Sequence, residues 1–384
     1  MIYLDQAASS FPKPPEVGEA MLHALNEIGA NPGRGGHVHA REASKIIQEA
    51  REKAAQLFGC EDPKRVVFFQ NATIALNQAI KGLEWRKGDH IIATYMEHNA
   101  VRRPLEHLKK KYGVTVSYVR FDGDDDAFIH AMKDTICSQT KLIAVTHASN
   151  VTGAIIPLNE VIKVAKKHRI ITLVDASQTA GHIPISMKAQ GVDMLAFPGH
   201  KGILGPQGTG VLLVAQHLDL HPIHHGGTGS YSESPDQPEV WPEKLESGTL
   251  NTPGIAGLLA ALQVYERKIH DNVSRETLLA NKLLDGLNSI EGITCYGPLI
   301  EDVRLPIIAF NVNGIDAQEI AIVLDTHYQI AVRAGLHCNP LAHETLGTTE
   351  QGVVRVSFNA TNTEEEIEAF LTAIEEITMA YEGM

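Results

Sequence analysis

The chain has 384 residues, 43% hydrophobic and 21% charged, with a formal net charge of −13. That composition excludes a largely disordered chain. With no basic run, it also argues against nucleic acid as a partner, because such binding neutralises phosphates. The N-terminal Met1-Ile2-Tyr3-Leu4-Asp5 carries no export signal, no apolar run reaches the ~18 residues of a membrane span, and Cys60, Cys137, Cys295 and Cys338 form no CxxC pair, so a cytoplasmic protein without a membrane partner is expected.

Strand-like apolar runs are predicted at 66–69, 90–93, 115–119, 142–146, 171–174, 194–197 and 210–214. Helical spacing fills most of the gaps, at 42–58, 72–83, 100–112 and 159–168. This alternation predicts an α/β unit whose mostly parallel sheet is buried on both faces. Ligand chemistry in such sheets gathers at the carboxyl ends of the strands. Residues 226–254 are rich in Gly, Ser and Pro and read as long loops, followed by a strongly helical stretch to about Ile290. Strands at 307–312 and 353–358 come next. A final amphipathic helix carries Ile367, Phe370, Leu371, Ile374 and Ile377 on one face, with Thr363 and Glu366 spaced as a capping box. The expected organisation is a large α/β domain over 14–253 and a smaller α+β domain formed by 1–13 and 254–384.

Three segments stand out after strands. Phe197-Pro198-Gly199-His200-Lys201-Gly202 places a lysine in a glycine-rich loop, where the backbone can approach a bound group and a lysine of lowered pKa can form a Schiff base. A flexible surface lysine is the plainer alternative. Asp175 ends an apolar strand and is either paired with a buried cation or proton, or a helix cap. Gln70-Asn71-Ala72-Thr73 opens a helix, where free N–H groups favour a phosphate, although taken alone ordinary capping is the better explanation. Further on, Cys338 follows Arg333 and His337, and neighbouring cations favour a reactive thiolate. The histidines at 217, 221, 224 and 225 lack acidic or thiol companions at a familiar spacing, so no metal site is predicted. Asp122-Gly123-Asp124-Asp125-Asp126 lacks a closing Glu and reads as a solvated turn.

Read in order, Asn71-Ala72-Thr73, Glu97-His98-Asn99, Ser149-Asn150-Val151-Thr152-Gly153, Asp175-x-x-Gln178 and Gly199-His200-Lys201 resemble the pyridoxal-phosphate site of class V, fold-type I enzymes. Glu246-Ser247-Gly248-Thr249-Leu250-Asn251-Thr252-Pro253-Gly254, Arg333-Ala334-Gly335-Leu336-His337-Cys338 and Arg355-Val356-Ser357 narrow the resemblance to the cysteine desulfurase and selenocysteine lyase family, across essentially the whole chain. The short interval from Cys338 to Arg355 is similar to the group II branch.

The resemblance implies pyridoxal 5'-phosphate as cofactor, with Lys201 bonded to it, Asp175 on the ring nitrogen and Gln178 on the phenolic oxygen. It further implies that His98 stacks on the ring and exchanges protons, and that Asn150 orients ring and substrate. Ala72, Thr73 and His200 would hold the phosphate, and Thr249 would reach the phosphate of a partner subunit in a homodimer. Arg355 would clamp the substrate carboxylate, with Arg333 and Arg34 on the substrate side. Cys338 would be the nucleophile that takes sulfur from L-cysteine, leaving L-alanine and a persulfide for a sulfur-acceptor protein. L-Selenocysteine would be a second substrate. The alternatives are a class V β-lyase or aminotransferase that does not use Cys338, and a cofactor-binding scaffold without turnover. Two positions depart from the family pattern. Pro198 stands where a phosphate-binding Ser is usual, and Leu336 where group II members commonly carry His. Proline offers neither hydroxyl nor N–H.

Overall fold

A computed structural model describes residues 1–33, 35–299 and 303–382. The chain begins with β1 (Ile2–Tyr3), α1 (Pro15–His23), α2 (Val38–Phe58), β2 (Val66–Phe69), α3 (Ala72–Lys81), β3 (His90–Thr94), α4 (Asn99–Tyr112) and β4 (Thr115–Val119). It continues through α5 (Asp125–Thr135), β5 (Thr140–Thr146), α6 (Leu158–His168), β6 (Ile171–Asp175), α7 (Met187–Gln190), β7 (Met194–Pro198) and β8 (Gly210–Val214). After a long loop come α8 (Thr252–Ser289), β9 (Ile293–Tyr296), β10 (Ile307–Val312), α9 (Ala317–Tyr328), β11 (Ile330–Ala331), β12 (Arg333–Gly335), α10 (Pro340–Leu346), β13 (Val353–Ser357) and α11 (Glu364–Glu382).

Seven strands form the central sheet in the order β2-β8-β7-β6-β5-β3-β4. Only β8 runs against the rest, being antiparallel to both β2 and β7. Successive residues of these strands alternate between two cores: Val66, Phe68, Leu195 and Phe197 face one, Val67, Met194 and Ala196 the other. Burial on both faces explains why all of them but the edge strand β4 read as near-continuous apolar runs rather than alternating ones.

Helix α2 starts at Val38, a turn before the predicted Glu42. His37 caps it by accepting from the Ala40 N–H at 3.3 Å, a signal that apolar periodicity does not carry. Between β8 and α8 the predicted long loop holds no helix or strand among the described residues, and Trp241 and Leu245 pin it into the core.

The smaller sheet is antiparallel, in the order β12-β13-β10-β9, while β1 pairs in parallel with β11. Its core gathers Leu4, Ile308, Phe310, Val354, Ile367, Phe370 and Ile374. The capping box at α11 forms in both directions: Glu366 Oε2 accepts from the Thr363 N–H at 3.1 Å, and Thr363 Oγ1 from the Glu366 N–H at 3.3 Å. Helix α8 spans both cores. Ile255, Leu258, Leu262 and Tyr265 pack in the large one, Leu279, Leu283 and Leu287 in the small one. The handover between cores therefore lies inside this helix, beyond the predicted division near Pro253. No helix among the described residues is long and apolar enough to cross a membrane.

Candidate active site

The carboxyl ends of β2, β3, β5, β6 and β7 lie on one edge of the large sheet. Strand β6 ends at Asp175, whose Oδ1 accepts from the Ser177 N–H at 2.9 Å. Strand β7 runs into Gly199-His200-Lys201. A Cβ on Gly181, which has φ +101°, would lie 2.0 Å from the Gly202 carbonyl carbon, so the loops after β6 and β7 pass backbone against backbone. Burial pushes the Lys201 amine down to about 8, and Arg355 and Arg333 add to the effect against the opposing pull of Asp175. Such a lysine carries a substantial free-base fraction near neutral pH.

Gly210 pairs with Phe69 on one side and Pro198 on the other, which brings the start of α3 beside the lysine loop. Asn71 caps α3 by accepting from the Ile74 N–H at 3.0 Å. The first N–H groups of a helix have no partner within it, so Ala72 and Thr73 present donors there. The His200 ring lies nearby in sequence and fold. Its Nδ1 is buried without a partner, and burial pushes it down to about 4, so it is neutral at pH 7. Lys13 donates to the His200 carbonyl oxygen at 3.0 Å. A helix N-terminus and an orphaned imidazole nitrogen are donors suited to a phosphate.

On the β3 side, the His98 Nδ1 accepts from the Ala100 N–H at 3.0 Å, so the neutral ring carries its proton on Nε2. Burial, then the Lys201 charge, holds its pKa below the usual range. Glu97 is fully buried. Its Oε1 accepts from Thr94 Oγ1 at 2.7 Å and from the Thr146 N–H at 2.9 Å, tying the ends of β3 and β5 together. Burial pushes this carboxyl up to about 8, and its Oε2 has no partner.

The second half of the site belongs to the small sheet. Arg333 and Arg355 stand opposite each other in the β12–β13 register. Arg355 is buried, pairs with Asp5 Oδ1 at 2.7 Å, and donates to the Asn150 carbonyl oxygen at 2.9 Å. Its Nε remains buried and unpartnered, a donor left for a further acceptor. Arg333 Nη2 lies 4.0 Å from the exposed Cys338 Sγ. Asn150 Nδ2 donates to the His337 carbonyl oxygen at 2.8 Å, and the Asn99 N–H to the Cys338 carbonyl oxygen at 2.9 Å.

Lys201, Asp175, His98, Arg333 and Arg355 thus share one electrostatic neighbourhood. Gln178 is buried close by, with its Nε2 donating to the Ala7 carbonyl oxygen at 3.3 Å. Thr249 stands apart. It lines a cavity of about 430 Å³ with Gln70, Ile74, His224 and His225. Arg34 lies outside the described residues. Among those described, no three His, Cys, Asp or Glu side chains gather as a metal site. Sequence reasoning gave no role to Asp5, Lys13, Glu97 or Asn339. Glu97 beside His98 after a strand was the one visible signal; the others act through contacts across hundreds of residues.

The profile for aminotransferase class-V matches residues 2–370. A probable cysteine desulfurase of Methanothermobacter thermautotrophicus is 36% identical over 382 residues, covering 98% of this chain and 94% of that protein. A cysteine desulfurase of Escherichia coli O157:H7 is 32% identical over 98% of this chain and 93% of its own. The solved apo structure of the cysteine desulfurase from Thermococcus onnurineus NA1 superposes with a TM-score of 0.91 at 33% identity, covering 99% of this chain and 95% of that one. The chain belongs to the class-V aminotransferase family. Within it, the sequence places the chain with the cysteine desulfurases, which are pyridoxal-phosphate-dependent enzymes.

Proposed function

We propose that the chain converts L-cysteine to L-alanine, with the substrate sulfur passing to Cys338 as a persulfide and from there to an acceptor thiol. The observation that carries this reading is the placement of an exposed Cys338 thiol beside Arg333, on a loop hydrogen-bonded to Asn99 and Asn150 at the lysine side of the site.

In this reading pyridoxal 5'-phosphate, once bound, supplies an electron sink for the carbanion left when the substrate α-proton departs. Ala72, Thr73 and His200 hold its phosphate. Pro198 contributes no hydroxyl there. Asp175 holds the proton of the ring nitrogen, and Gln178 faces the phenolic oxygen. The Lys201 amine, lowered to about 8, takes the α-proton. Arg355 receives the substrate carboxylate on its free donors while Asp5 fixes its plane. Neutral His98 presents Nε2–H as a proton donor to the departing three-carbon fragment. The Cys338 thiolate attacks the substrate sulfur. A carbon–sulfur bond breaks and a sulfur–sulfur bond forms, and cysteine plus thiol becomes alanine plus persulfide with no external oxidant.

The functional unit is a homodimer in which Thr249 serves the partner subunit's phosphate. L-Selenocysteine is a second substrate, because its weaker carbon–selenium bond lessens the need for Cys338. The test compares wild type with Cys338→Ser in the holoenzyme, following alanine released from L-cysteine. Alanine release that collapses in the variant supports the reading. Equal release, or pyruvate in place of alanine, overturns it in favour of a lyase or transaminase.

A further inference from the structure

We propose that Asn339, the residue after Cys338, is a positioning residue that clamps the nucleophile in place, so that sulfur transfer depends on it far more than the carbon chemistry does. This rests on the desulfurase reading above. His337 and Cys338 have φ of +49° and +58°. Residues with a Cβ occupy that region only when their surroundings hold them there.

The Cys338 carbonyl oxygen accepts from the Asn99 N–H, and the His337 carbonyl oxygen from Asn150 Nδ2. Asn339 joins these two anchors. Its Nδ2 donates to the Met96 carbonyl oxygen at 2.6 Å and to Asn150 Oδ1 at 3.2 Å. Its Oδ1 accepts from the Ala342 N–H at 3.2 Å, capping α10. The side chain is fully buried, so no water competes for these bonds. Asn339 therefore ties the cysteine loop to the turn before His98, and it fixes the orientation of the Asn150 amide that holds His337.

A helix cap alone needs only an acceptor, and Asp or Ser would serve as well. Asn adds two N–H donors on the same group, and both are engaged here. This separates the clamp from the cap experimentally. Asn339→Asp keeps the acceptor and the volume, loses both donors, and turns a carboxylate oxygen toward two other acceptors. Asn339→Ser keeps an acceptor without adding charge.

The holoenzyme of each variant is compared with wild type in three ways. Exchange of the L-alanine α-proton in D2O reads the carbon chemistry without sulfur. Single-turnover persulfide formation on Cys338 from L-cysteine reads the transfer. Amide hydrogen exchange reads the loop itself. We expect persulfide formation slowed by about 10- to 100-fold, the scale of a misplaced reacting group, and α-proton exchange slowed at least tenfold less, through the shared contact with Asn150. Amide exchange should be faster in 333–346 and 96–103 and unchanged in the central strands. Persulfide formation at the wild-type rate in both variants overturns the clamp. So does a fall in α-proton exchange that matches the fall in persulfide. Wild type that exchanges the α-proton but never forms a persulfide overturns the desulfurase reading itself.

Discussion

Lys201 and Asp175 leave the ends of adjacent buried strands, whereas Cys338 is an exposed residue between buried neighbours on a loop of the small antiparallel sheet. The lysine side is held by ladder hydrogen bonds, a capped helix and glycines in backbone contact. The cysteine side is held by side-chain amides reaching in from the other core. Its two left-handed residues each cost about 1–2 kcal/mol relative to ordinary backbone, a cost that the amide bonds must offset. One half is rigid because the sheet is rigid. The other is fixed only while a few hydrogen bonds persist, which suits a group that must meet both a buried substrate and an outside acceptor.

The contrast can be tested at four points, taken in order of decreasing effect. Lys201→Ala should lower alanine release from L-cysteine by about 10⁴-fold, at the upper end for a lost acid–base group. A variant retaining a tenth of the activity would place the base elsewhere.

The rigidity of the lysine side also rests on a buried ion pair. Arg51 bonds Glu246 Oε2, while Glu246 Oε1 accepts from the Phe68 N–H at 2.6 Å in β2. Glu246→Ala strands the guanidinium and should destabilise the fold by about 3–5 kcal/mol. Thermal or denaturant unfolding measures this, and a change below 1 kcal/mol would mean that the loop bearing Thr249 is not anchored there.

A smaller effect should appear in pH dependence. The folded Lys201 amine releases its proton near 8 and the unfolded one near 10.5, so the unfolded chain binds more protons between these values. Stability of the cofactor-free protein should therefore rise with pH across that window. The rise should be smaller in Lys201→Ala, measured as melting temperature against pH, and an identical slope would contradict a buried lysine.

The smallest effect should come from the end of the chain. Thr363→Ala removes one arm of the α11 capping box and should cost about 1 kcal/mol in unfolding while leaving activity unchanged. An activity loss there would show that the small core reaches the site more directly than its packing implies.

The difference between the two sides also explains what could be read in the sequence. Six strands of the large sheet were legible because burial on both faces leaves near-continuous apolar runs, and the edge strand β4, mostly half-buried, through its β-branched and aromatic residues. Lys201, Asp175 and Asn71 were legible because each directly follows such a run. The capping box at Thr363 was legible because it is local. By contrast, the extra turn at the start of α2 depends on a histidine cap, and the core handover inside α8 leaves no break in helical spacing. The Arg355–Asp5 pair and the Asn150–Asn339 contact join residues 350 and 189 positions apart, and no local pattern announces them. Cys338 itself was visible only through its neighbours Arg333 and His337, and not through the bonds that hold it.

The most direct test is intact-protein mass spectrometry of the holoenzyme after brief exposure to L-cysteine, with the adduct mapped by digestion and alanine assayed in parallel. One added sulfur, about +32 Da and removable by a thiol reductant, is expected on Cys338 together with alanine. Alanine or pyruvate formed with no adduct on Cys338, or with the sulfur on Cys60, Cys137 or Cys295, would contradict it.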